Sequence, residues 1–364
     1  MGIVMLEETE TAELEEFRRM LLSCAALNRR KEYDGGFGFQ GNALPDGNGD
    51  VLDRLVCVTS GVSYLGIAIV NQLLVSGYSV RIIVDKEEDV EKLREMQNSG
   101  EMRLNDSIIE VFMAKLSQVE SLIEAFDGCG GVFHTAAFVD PAGLTGYSKA
   151  MADIEMNATK NVMRACGTSL SVRHCVLTSS RLTCIWQDNS HGESSRQIDH
   201  KSWSDESVCI NKKLWYALGK LRSEKAAWDI ARESGLKLAT ICPALITGSE
   251  FYQRSPTSTL AYLKGFREMY THGLLATVNI DKLAKAHVAI FEGMKKRTVS
   301  GRYICFDRVI VGEDELERLV AETGVITSTS LIIGGASSSN RPRFELSNVK
   351  LDRVMLRTQS CRRE

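Results

Sequence analysis

The sequence predicts an α/β protein built on a doubly wound parallel sheet. Three observations carry this. Short apolar runs alternate with stretches of helical length from residue 51 onward. The runs are apolar throughout and rich in β-branched residues, as strands covered on both faces are. Glycines stand where helices end, at Gly77, Gly167 and Gly235. Right-handed crossovers turn such an alternation into an open sheet with helices on both sides, and ligands then bind at the carboxyl edge of the strands.

Taken in order, residues 55–59 (LVCVT) make the first strand and residues 65–76 the helix after it. Residues 78–84 (YSVRIIV) and 108–114 (IIEVFMA) are the second and third strands. Ser117-Gln-Val-Glu120 has the spacing of a capping box and opens a helix that runs to Asp127. Residues 131–136 (GVFHTA) form a fourth strand, 147–166 a long helix and 172–178 (VRHCVLT) a fifth strand. A helix covers 213–234, and Pro243 closes a sixth strand at 236–242 (LKLATIC). A late strand at 302–306, a late helix at 314–323 and a Ser/Gly-rich loop at 334–340 complete the series.

Ahead of this region, residues 10–29 read as a short amphipathic helix with Leu14, Phe17, Leu21, Cys24 and Leu27 on one face. It suits loose docking on the main domain or the binding of a partner. Residues 34–50 carry six glycines, a flexible-linker composition. The expected organisation is an N-terminal helix and linker at 1–50, the main domain at 51–350 and a tail at 351–364.

The 364 residues hold 44 Lys+Arg against 47 Asp+Glu, a net charge of −3, so neither nucleic acid nor an anionic membrane is an expected partner. No apolar run of about 18 residues occurs, so no spanning helix is expected. Residues 1–16 hold six glutamates and no basic residue, unlike a secretory or transit leader. Leu6 breaks the myristoylation pattern begun by Met1-Gly2. The ten cysteines form no Cys-x-x-Cys pair and show no zinc spacing, so no metal is expected. Cys57 and Cys242 lie inside apolar runs and read as reduced core residues. A reducing, cytoplasmic setting is the expectation.

Three features at the carboxyl edge carry chemistry. The first is the turn Thr59-Ser60-Gly61-Val62-Ser63-Tyr64-Leu65-Gly66, in the strand-to-helix context of a dinucleotide site. Serines stand at 60 and 63, where a glycine-rich loop has its first two glycines. They add bulk and predict left-handed strain at one position, although their backbone amides still donate. The second is Asp85 with Lys86, where the second strand ends. Asp85 lies 19 residues beyond Gly66, so its carboxylate suits the adenosine ribose hydroxyls and NAD over NADP. Lys86 and Arg81 offer the opposite reading, a 2′-phosphate. The third is Thr178-Ser179-Ser180 at the end of the fifth strand, with Tyr216 and Lys220 on the following helix. At i and i+4 the last two share a helix face. The ammonium is expected to lower the phenol pKa and suit it to proton transfer. A strand-tip serine can hydrogen-bond an oxygen on which charge develops.

These stretches together resemble the extended short-chain dehydrogenase/reductase superfamily, and within it the plant cinnamoyl-CoA reductase-like group. The matching segments are VCVTSGVSYLG (56–66), DGCGGVFHTAA (127–137), NATKNVMRAC (157–166), VRHCVLTSS (172–180), WSD (203–205), WYALGK (215–220), PALITG (243–248), AHVAIFE (286–292) and SGRYIC (300–305). The resemblance implies a Rossmann-type sheet with a small C-terminal substrate-binding subdomain, mainly residues 181–212 and 249–350. It implies NAD(P)(H) as cofactor and a small, phenolic or hydrophobic substrate. Ser180, Tyr216 and Lys220 would be catalytic. Thr59, Ser60, Gly61, Ser63, Tyr64, Leu65 and Gly66 would line the pyrophosphate. Thr135, Ala136 and Ala137 would pass beside the cofactor, Lys220 would hold the nicotinamide ribose and Pro243 would lie near the nicotinamide. The chain departs from the group's pattern at the loop serines, at Asp85 and Lys115, and at Leu214, Ala217 and Leu218 of its signature. Two further readings stay open: a dinucleotide-binding regulatory protein, and an epimerase or dehydratase.

Overall fold

The computed structural model describes residues 54–102, 109–135, 147–188, 197–248, 261–323 and 343–360. All of them belong to one of the chain's two compact units, Gly49–Glu364. The helix and linker expected within 10–50, the loop at 334–340, and Ala136 and Ala137 lie outside the described residues.

The strands are β1 (Leu55–Val58), β2 (Ser79–Val84), β3 (Ile109–Met113), β4 (Gly131–His134), β5 (His174–Thr178), β6 (Gln197–Ile198), β7 (Lys237–Pro243), β8 (Leu245–Thr247), β9 (Ala276–Asn279), β10 (Gly301–Cys305), β11 (Arg308–Val309) and β12 (Glu345–Leu346). The helices are α1 (Tyr64–Val75), α2 (Glu87–Asn98), α3 (Val119–Phe126), α4 (Lys149–Thr168), α5 (Leu182–Ile185), α6 (Glu206–Asn211), α7 (Trp215–Ser234), α8 (Phe266–Thr271), α9 (Ile280–Lys295), α10 (Glu313–Thr323) and α11 (Val349–Ser360).

Seven strands form the main sheet in the order β10-β7-β5-β4-β1-β2-β3, every neighbour parallel. The winding therefore reverses between β1 and β4, and in sheets of this kind ligands bind beyond the strand ends at such a reversal. Alternate residues feed opposite faces. Val56, Val58 and Phe133 join a core with Ile69, Leu73 and Phe291 of α1 and α9. Cys57, Val132 and Cys175 join another with Phe126, Val162 and Cys166 of α3 and α4. Among the described residues eight cysteines, Cys57 and Cys242 among them, are buried and form no disulfide, so they pack as small apolar residues. Outside the main sheet, β11-β9-β8 and β12-β6 make two small sheets that the apolar runs did not announce. Among the described residues no helix is long and apolar enough to cross a membrane.

Two local expectations fail. Gln118, not Ser117, is the N-cap of α3, and no side chain caps it. A backbone bond from Gln118 N to Lys115 O (3.0 Å) closes the preceding turn and starts the helix one residue late. The capping-box register is thereby lost. Gly167 does not end its helix, since α4 continues to Thr168. A Cβ there would stand 2.7 Å from the Ser234 side chain, so this glycine serves the approach of α4 to α7. Gly77 and Gly235 do take the left-handed conformation expected of helix-ending glycines.

Candidate active site

The turn after β1 continues its ladder, with Thr59 N donating to Phe133 O at 3.1 Å. Ser63 then caps α1. Its hydroxyl accepts from Gly66 N at 3.0 Å and donates to Ser60 O at 2.7 Å, while its own amide also reaches Ser60 O. The strain expected of the serines is absent: neither has a positive φ. Gly66 is the constrained position. A Cβ there would fall 1.9 Å from the carbonyl oxygen of Ser60, so the helix and the loop approach through it. At Gly61 a Cβ would meet the Ile82 side chain at 2.4 Å. Tyr64 and Leu65 open the helix, where the first-turn amides lack intrahelical acceptors.

Asp85 and Lys86 are exposed beyond the tip of β2. Loss of solvent pushes the Asp85 carboxyl up, against the pull of Lys115 and Lys86. Arg81 does not take part. It binds Glu110 (2.7 Å), Ala125 O (2.9 Å) and Asp127 O (2.7 Å), so the reading that sent it to a 2′-phosphate fails.

At the end of β4, Thr135 is buried and its hydroxyl has no hydrogen-bond partner among the described residues. His134 beside it bridges Thr59 Oγ1 (3.0 Å) and Thr159 Oγ1 (3.3 Å). Burial and the Lys220 charge depress its pKa to about 3, so it is neutral. Pro243 ends β7, buried, and its carbonyl accepts from Arg181 N at 2.8 Å.

The two serines after β5 have different partners. Ser179 donates to Glu224 at 2.7 Å and pins the strand tip to α7. The Ser180 hydroxyl instead accepts from Leu182 N at 3.2 Å. Glu224 sits one turn beyond Lys220. It also pairs with Arg302 (2.8 Å) and accepts from Thr183 and Thr240. Arg302 in turn stacks 3.5 Å from the Trp203 ring centroid and donates to Ser202 O, so the WSD segment is locked to the same helix.

Tyr216 and Lys220 come together as their spacing requires, with the ammonium 5.8 Å from the ring centroid. The expected fall in the phenol pKa does not occur. Loss of water pushes Tyr216 up to about 12; Lys220 pulls it down, and the nearby Glu155 raises it further. Glu155 is the residue the sequence reading missed. It lies 2 % exposed on α4, 2.5 Å from Lys220 Nζ, and accepts the hydroxyl of Tyr147. The Tyr147 ring meets Tyr216 edge-on at 5.1 Å. One signal was available. Ala152, Glu155, Thr159, Val162 and Cys166 share helical spacing, and an acid inside such a stripe needs a buried cation.

This edge fits a dinucleotide. A helix N-terminus, glycines at 61 and 66 where side-chain bulk would crowd the turn, and a Thr135 hydroxyl without a partner among the described residues lie at the carboxyl ends of β1 and β4. Lys220, already held by Glu155, would share its ammonium with a ribose.

Residues 57–309 match the profile of the 3-beta hydroxysteroid dehydrogenase/isomerase family. Over 274 residues the chain is 33% identical to cinnamoyl-CoA reductase 1 of Petunia hybrida, covering 74% of this chain and 77% of the relative. Vestitone reductase from alfalfa superposes with a TM-score of 0.56 at 25% identity, covering 82% of this chain and 91% of its own. Yeast methylglyoxal/isovaleraldehyde reductase, complexed with NADPH, superposes with a TM-score of 0.59 at 20% identity, covering 83% and 92%.

Proposed function

Since the chain belongs to the 3-beta hydroxysteroid dehydrogenase/isomerase family, we propose that it is an NAD(P)-dependent oxidoreductase of the cinnamoyl-CoA reductase-like kind, acting on the carbonyl or alcohol of a small phenolic metabolite. The supporting observation is the Tyr216–Lys220 pair, held on a helix that Ser179 and Glu224 fasten to the tip of β5.

When bound, the dinucleotide supplies or takes up the hydride. The chain does the rest. Tyr216 gives its proton to the carbonyl oxygen, and Ser180 hydrogen-bonds that oxygen as charge gathers on it. Lys220 lies beside the phenol and would hold the nicotinamide ribose, with Pro243 near the ring. Thr59, Ser60, Gly61, Ser63, Tyr64, Leu65 and Gly66 cradle the pyrophosphate, and Thr135 borders the cofactor. Asp85 takes the adenosine ribose hydroxyls, which favours NAD. The buried free cysteines suit a reducing cytoplasm.

The test pairs binding with turnover. NADH and NADPH are titrated by fluorescence, then cinnamaldehyde, a hydroxycinnamoyl thioester and a flavanonol are offered as substrates. Tyr216→Phe should cost about 10²–10⁴-fold in turnover and leave cofactor affinity unchanged. Undiminished turnover would remove Tyr216 from the reaction, and no binding below the millimolar range would remove the enzyme.

A further inference from the structure

Lys220 and Tyr216 alone would make a phenol beside an ammonium, an arrangement that favours phenolate. The structure adds a third group. Glu155 approaches from α4, and its carboxylate lies 2.5 Å from Lys220 Nζ with both side chains almost fully buried. Tyr147 donates to the other carboxylate oxygen and packs its ring edge on Tyr216. Gly219 makes room for this. A Cβ at that position would stand 2.9 Å from the Tyr147 hydroxyl and 3.0 Å from Ala152 Cα, so α7 presses closely on α4.

We propose that Glu155 is a positioning residue that cancels the Lys220 charge in front of Tyr216 and keeps the phenol in its proton-donating form through the neutral and mildly alkaline range. The proposal rests on the reading of Tyr216 as the proton donor and deepens it.

The charges around the phenol support it. Of the charges that act on the phenol, α7 supplies Lys220 and α4 supplies Glu155. Tyr147, ahead of α4, is held well above its usual range by burial and by Glu155, and so stays neutral. Asp153 acts on Tyr147 more weakly. His134 faces Lys220 from β4 and is neutral, with its pKa near 3. Tyr262, near Tyr216 from the segment ahead of α8, is buried and neutral, held by Arg181 at 2.9 Å. Among the described groups that act on the phenol, the charged ones are Lys220 and Glu155, in contact with each other, so their charges offset in front of it. Burial then governs it, and it rises to about 12.

During reduction the hydride forms the new C–H bond and the carbonyl π pair moves onto oxygen. The Tyr216 O–H breaks to protonate that oxygen, and solvent restores the proton to the phenolate. The first proton transfer needs Tyr216 protonated beforehand. Glu155 secures this at pH values where an uncompensated Lys220 would have released the proton.

The experiment follows the Tyr216 phenolate directly, by ultraviolet difference titration of the full-length protein without cofactor, with Tyr216→Phe as the subtracted reference. In Glu155→Gln the Tyr216 midpoint should fall by about one pH unit or more. Glu155→Asp draws the carboxylate back by one methylene, keeps the charge and moves the midpoint the same way by less. It serves where the amide variant fails to fold. The alkaline limb of cinnamaldehyde reduction should move down with the midpoint. An unmoved midpoint in the folded variants overturns the role of Glu155. Tyr216→Phe retaining turnover overturns the underlying reading instead, and the two failures are thereby distinct.

Discussion

Helix α7 carries two buried ion pairs one turn apart, and they are built differently. Glu224 meets Arg302 and accepts from Ser179, Thr183 and Thr240 as well. Its carboxyl is held below the usual carboxylate range: burial works against the charge, but Arg302 and the hydrogen bonds outweigh it. Glu155 meets Lys220 and, among the described residues, has the Tyr147 hydroxyl as its second partner. The first pair has spent its lone pairs on β5, β7 and β10 and acts as a joint. The second has fewer fixed partners, which suits the proposed sharing of its ammonium with a ribose. Burial and opposite charge do not by themselves mark a functional pair; the number of fixed partners separates the two.

The contrast is sharpest in stability. Glu224→Ala leaves a guanidinium that cannot shed its proton in a buried site, and should cost about 3–5 kcal/mol. Glu155→Ala leaves an ammonium on a long, flexible stem rather than a rigid guanidinium, and should cost clearly less. Denaturant midpoints measured together check this, and equal losses would erase the distinction.

Acid should attack the joint's surroundings next. His134 and His287 are neutral in the fold, with pKa values near 3 and near 4 set chiefly by burial, against about 6.5 in the unfolded chain. The unfolded state therefore binds more protons as pH falls. Stability is complete above about pH 6.5 and declines toward pH 3 with a slope of up to about two protons. His287, which bonds Thr178 and Leu283 O, is the simpler variant. His287→Asn should remove about one proton from that slope in pH-dependent melts. An unchanged slope would assign the loss to carboxylates such as Glu224.

Gly66→Ala tests the ligand side alone. The new methyl must displace the Ser60 carbonyl, so dinucleotide affinity should fall at least about tenfold, worth about 1.4 kcal/mol by titration. Both ion pairs should keep their titration behaviour. Asp85→Arg is the smallest change. It should swing preference toward NADPH while stability stays within about 0.5 kcal/mol. A constant ratio of NADH to NADPH affinity would show that Asp85 does not read the ribose.

Much of this was legible in the chain. The alternation of apolar runs and helices located every strand of the main sheet to within two residues, because covered parallel strands leave an unbroken apolar signature. The i, i+4 spacing brought Tyr216 and Lys220 together for the same local reason. What the sequence hid was long-range. Glu155 meets Lys220 across two helices, 65 residues apart in number, and no local pattern encodes that contact. The short strands β6, β8, β9, β11 and β12 pair through tertiary contact and have too few residues to show a period. By residue type alone Ser63 stands where a glycine-rich loop has a glycine. Its role as a cap depends on where α1 begins.

That cap has a kinetic consequence. Ser63 ties the turn to the Ser60 carbonyl on one side and to Gly66 on the other, so the turn proposed to receive the pyrophosphate is braced by its own bonds. Association then involves docking into a finished shape, with little ordering entropy to surrender on arrival.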